Sequence, residues 1–168
     1  MDKLALSFYR VLLALSCIGM IAAFGAVMLG IAARLARWDL PGLDAYAGYA
    51  IAASLFLALP STLLRGEHIR VTLVLERLPA RWRKAFEWWC LGAAAGLALY
   101  LAWFSARLVW GSYATNDVSQ AADATPLWIP QLAMALGCIG FAIGVLQAAI
   151  ARWNGSDLLA PAAAARSE

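Results

Sequence analysis

The chain's 168 residues are 64% apolar and 14% charged, with a mean hydropathy of +0.73. A soluble domain is about 45–50% apolar and about 25% charged, so folding around one aqueous core is excluded and the chain belongs in a membrane. The net charge of +3 reflects where Lys and Arg sit relative to a bilayer, and nothing else in the sequence supports a nucleic-acid partner.

Four runs without Asp, Glu, Lys, Arg or His, at 11–33, 45–64, 88–106 and 124–151, each approach or exceed the roughly 20 residues needed to cross a hydrocarbon core of about 30 Å. They are rich in Leu and Ala and lack the alternation of barrel strands, so the expected fold class is an all-α membrane protein. Lys3 and Arg10 before the first run imitate a secretory signal. The run is longer than the roughly 7–15 residues of a signal's apolar region, so it reads as an uncleaved first helix. Pro41-Gly42 marks the turn into the second helix. Pro60 falls inside that helix, where it should kink it and leave the Phe56 carbonyl without its usual amide donor. In membrane helices a neighbour or water takes up such a group.

Between the second and third spans, Gly66 to Leu78 is too charged to cross. Val71, Val74, Leu75 and Leu78 fall at i, i+3, i+4 and i+7, the spacing of a short amphipathic helix in the cytoplasmic interface. The alternation of Ile69, Val71, Leu73 and Leu75 fits an extended segment as well. From Pro79, Arg81-Trp82-Arg83-Lys84 leads into the third span without a turn residue, predicting one continuous helix to about Gly111 of roughly 50 Å at about 1.5 Å per residue. Gly111 to Thr125 reads as an exposed loop, and Pro126 and Pro130 stand at the start of the fourth helix. The expected layout is one four-helix domain over 1–153, with spans at about 11–33, 43–64, 86–110 and 126–151, followed by a cytoplasmic tail, 154–168, expected to be disordered.

Orientation follows from charge. With the N-terminus inside, Lys3, Arg10, Arg65, Arg70, Arg77, Arg81, Arg83, Lys84, Arg152 and Arg166 are cytoplasmic, and only Arg34, Arg37 and Arg107 are outside. Ten of 13 basic residues on one side predict that both termini are cytoplasmic. The tryptophans independently support the span ends: Trp38, Trp110 and Trp128 fall at outer ends and Trp82, Trp88, Trp89 and Trp153 at inner ends, with Trp103 inside a span.

Ionisable groups inside spans usually announce function in a membrane protein, and the four runs have none. Asp44 and Glu87 border the second and third runs at expected water interfaces. Cys17, Cys90 and Cys138 lie in different runs without C-x-x-C spacing, so they read as small buried hydrophobes rather than a disulfide framework or zinc site. His68, the single histidine, reads as a headgroup-facing or hydrogen-bonding side chain. Gln147, the most polar residue well inside the fourth span, is expected to bond across helices. Small residues recur at four-residue spacing at Ala22, Ala26 and Gly30, at Gly92 and Gly96, and at Gly140 and Gly144. Such faces serve either packing within the chain or contact with another membrane subunit, and sequence does not choose between them. No cofactor or metal is called for.

The stretch from Gly66 to Pro79, Gly-Glu-His-Ile-Arg-Val-Thr-Leu-Val-Leu-Glu-Arg-Leu-Pro, placed between a second and a long third helix, resembles the small DctQ-type membrane subunit of tripartite ATP-independent periplasmic transporters. Thr125-Pro126-Leu127-Trp128-Ile129-Pro130 is similar to the second signature of that family. Relatives often carry an acidic residue where Thr72 stands, so a salt bridge made there by relatives does not carry over. The resemblance implies a multi-pass protein of the bacterial inner membrane. Its implied partners are a larger multi-helix subunit holding the solute and sodium sites and a periplasmic solute-binding protein.

The resulting expectation is a non-enzymatic, auxiliary subunit of a sodium-driven importer of small organic anions, carboxylates or acidic sugars. Glu67, His68, Arg70, Arg77 and Pro79 form its expected interfacial motif, and Arg34, Arg37, Asp117 and Asp123 its candidate docking residues for the binding protein. The rival is a stand-alone oligomeric transporter or channel, with Ser16, Ser54, Ser105 and Gln147 as candidate pore-lining groups. A redox membrane anchor, the third class, lacks cofactor ligands.

Overall fold

The computed structural model describes residues 3–65, 79–122 and 124–154. They form four helices: α1, Lys3–Ala36; α2, Leu43–Leu64; α3, Ala80–Ala114; and α4, Trp128–Trp153. All four are long and apolar enough to cross a membrane. The bounds of α2 are those expected, whereas α1 and α3 run past their apolar stretches at both ends, because no helix breaker intervenes and the flanking Lys, Arg, Ala and Leu residues favour helix. The 35 residues of α3 span about 52 Å at about 1.5 Å per residue. Helix α4 starts at Trp128 rather than Pro126, because Pro126 is held in an antiparallel bridge with Val118. The expected interfacial segment, with Glu67, His68, Arg70 and Arg77, lies outside the described residues, as do Asp123 and the tail from residue 155.

The helices run up, down, up and down. Arg10, Arg65 and Arg152 mark a basic end, and the α1–α2 and α3–α4 connections lie at the opposite end. Extensive packing joins α1 to α2, α2 to α4 and α4 to α3. Within the most apolar stretch of each helix, α4 buries 44% and α2 33%, against 17% for α1 and 11% for α3. The order in space is therefore α1, α2, α4, α3, with two central helices and two flanking ones.

Each flanking helix is attached along one narrow seam. On α1 the seam runs through Tyr9, Leu12, Ser16, Gly19, Ala23, Ala26, Gly30 and Ala33, with Ala5 and Leu13 also half-buried; on α3 it runs through Trp88, Leu91, Ala95, Ala98, Ala102, Ser105, Val109 and Ser112, with Glu87 half-buried beside it. Steps of three and four residues alternate, giving the 3.5-residue period of left-handed, coiled-coil-like packing. Small side chains dominate because helices in lipid gain nothing from hiding apolar surface and must gain from close approach. Ala26 and Gly30 of the expected small-residue stripe lie on the α1 seam, but Ala22 is exposed and Ala23 takes its place. Equal four-residue steps drift off a stripe of 3.5-residue period.

The α2–α4 joint is tightest. Pro60 is fully buried inside α2 and has no N–H to give the Phe56 carbonyl. Gly137 of α4 packs directly on that carbonyl: a Cβ at Gly137 would lie 2.5 Å from the Phe56 carbonyl carbon and closer still to its oxygen. A glycine Cα hydrogen fits there and supplies a weak C–H···O contact. One and two turns further on, a Cβ at Gly140 would sit 2.9 Å from both Leu12 Cδ1 and Pro60 Cγ, and one at Gly144 would sit 3.2 Å from Leu63 Cδ2. Next to them Leu63, Ala98, Ala142 and Val145 join α2, α3 and α4 in one buried cluster.

Candidate functional site

The polar groups between the helices arise from the seams. Ser16 on α1 donates to the Ser54 carbonyl of α2 at 2.8 Å, and Ser61 of α2 donates to the Tyr9 carbonyl of α1 at 3.3 Å. The Tyr9 hydroxyl donates to Gln147 Oε1 of α4 at 3.0 Å, tying α1 to α4 near the basic end. Gln147 thus bonds across helices, as expected. Ser105 donates back to the Ala102 carbonyl of its own helix at 3.1 Å. Ser16, Ser54 and Ser105 are 6%, 2% and 6% exposed, so these proposed pore-lining groups face the chain's own interior. Gln131, near the start of α4, has a buried Oε1 without a hydrogen-bond partner among the described residues.

Two ion pairs were not legible as pairs. Glu87 of α3 meets Arg152 of α4 at the basic end, half-buried, beside an edge-to-face contact of Trp88 with Trp153 at 5.7 Å. Arg34 Nη2 donates to both carboxylate oxygens of Asp44 at 3.1 and 2.9 Å, clamping the end of α1 to the start of α2. The available signal was opposite charge at the same end of consecutive helices.

The end opposite the basic one carries the other predicted residues. Helix α1 terminates in a Schellman motif: Trp38 N–H bonds the Ala33 carbonyl at 2.8 Å and Arg37 N–H the Arg34 carbonyl at 3.3 Å, with Arg37 at φ 57°. Helix α3 ends the same way, with Asp117 N–H on Ser112, Asn116 N–H on Tyr113 and Asn116 at φ 52°. The Gly111–Thr125 loop is therefore partly helical, and its remainder is closed by Ser119 N–H on the Thr125 carbonyl and Leu127 N–H on the Asp117 carbonyl. Gly42, at φ 86°, turns the chain into α2, a conformation that glycine adopts without steric cost.

An open cavity of about 240 Å³ lies between Gly30, Ala33, Arg34, Trp38, Asp39 and Asp44, with its guanidinium already engaged by Asp44. Of the expected docking residues, Arg34 is thus paired, whereas Arg37 and Asp117 are exposed at the two helix ends. Pro79 caps α3, accepting from Trp82 N–H at 2.9 Å.

Four bilayer-length helices, joined by small-residue seams with the Ser16 and Ser105 hydroxyls bonded internally, define a multi-pass membrane protein. The family model described as "Tripartite ATP-independent periplasmic transporters, DctQ component" matches residues 23–155. The chain belongs to that family: it is a DctQ-type small membrane subunit of a tripartite transporter, a transport component and not an enzyme. No curated protein and no solved structure matches it.

Proposed function

We propose that the chain is the auxiliary, scaffolding subunit of a sodium-driven importer of small organic anions, carboxylates or acidic sugars. It pairs with a larger multi-helix subunit that carries the solute and sodium sites, and a periplasmic protein delivers solute from outside. The observation that carries this reading is the way the Ser16 hydroxyl inside the first span, and those of Ser61 and Tyr9 toward the basic end, are spent on bonds between the chain's own helices. The four apolar runs hold no charge to compensate an anion. A rigid four-helix row widens the framework against which a partner can move its binding site.

In this reading the protein sits in the bacterial inner membrane with both termini cytoplasmic, supported by ten of its 13 basic residues falling on one side. The segment Glu67 to Pro79 lies along the inner interface, with Arg70 and Arg77 meeting lipid phosphates or acidic groups. On the outer side Arg37 and Asp117, with Arg34 and Asp123, meet the binding protein. The internal use of Ser16, Ser54 and Ser105 weighs against a stand-alone oligomeric pore.

Extraction in mild detergent tests the pairing: a larger multi-helix membrane protein should co-purify in fixed ratio, and recovery of nothing but copies of this chain would overturn it. In a background lacking Cys17, Cys90 and Cys138, Gln120→Cys should react with an impermeant thiol reagent in intact cells and Lys84→Cys should not. The reverse pattern would invert the topology.

A further inference from the structure

We draw no further inference here: the strongest candidate, the outward face of α3 where Gly92 and Gly96 meet open space near the exposed Trp103, is an apolar small-residue stripe, and nothing in the structure shows what covers it.

Discussion

Replacing Gly137 by Ala tests the α2–α4 joint at its tightest point. The added methyl would stand 2.5 Å from the Phe56 carbonyl carbon and 3.0 Å from Phe56 Cβ. Ordinary C···O and C···C contacts begin near 3.3–3.5 Å, so the two backbones must separate by about 1 Å. The obstacle is main chain, which cannot rotate away as a side chain would. Overpacking of this kind costs about 1–3 kcal/mol, and losing the C–H···O contact costs about 0.5–1 kcal/mol more. The higher helix propensity of Ala offsets about 1 kcal/mol. The net expectation is a loss of about 0.5–3 kcal/mol. Gly96→Ala provides the control, because nothing lies within 4 Å of its added methyl; in the isolated chain it should be neutral or stabilising by up to about 1 kcal/mol. Equilibrium unfolding in mixed detergent micelles, followed by tryptophan fluorescence, measures both. Equal stability of the two variants would refute the close approach of Gly137 to Phe56.

Tyr9→Phe removes the donor to Gln147 Oε1 and should cost about 0.6–1.7 kcal/mol; a double-mutant cycle with Gln147→Met should show coupling of that size, and additive losses would mean that the bond contributes nothing. Glu87→Gln should loosen the basic end of α3 by roughly 0.5–1 kcal/mol, an effect that shrinks as salt rises; salt-independent unfolding of both parent and variant would contradict an ionic contribution from the Arg152 pair. Arg37→Gly relieves a left-handed residue and should leave the isolated subunit as stable or up to about 1 kcal/mol more stable. If Arg37 docks the binding protein, the same change lowers uptake at limiting binding protein while assembly is unaltered; unaltered uptake would remove it from the docking surface.

The spans were legible because composition and run length act over some 20 residues, and no tertiary contact can override a bilayer's demand for apolar surface. The freed carbonyl at Phe56 was equally legible from Pro60, since a proline's missing N–H is a local fact. Its neighbour Gly137 was not, because the register between α2 and α4 is set by their packing. Which small residues of α1 face α2 was hidden for a related reason: the seam alternates steps of three and four, so it takes Ala23, Ala26 and Gly30 and leaves Ala22 exposed. Asp44 and Glu87 looked self-sufficient at a water interface, and only folding brings Arg34 and Arg152 to them. The end of α1 was hidden as well, because Arg37 occupies a left-handed position that sequence usually marks with Gly or Asn. At the matching end of α3, Asn116 does carry that mark.

Uptake into lipid vesicles bears most directly on the auxiliary role. Vesicles holding this chain alone, with a sodium gradient and solute-loaded binding protein outside, should accumulate no solute. Vesicles holding the chain with its larger membrane partner should show sodium-dependent uptake that disappears when either membrane subunit is left out. Solute-specific, sodium-driven flux through vesicles containing only this chain would contradict the account and make it a transporter in its own right.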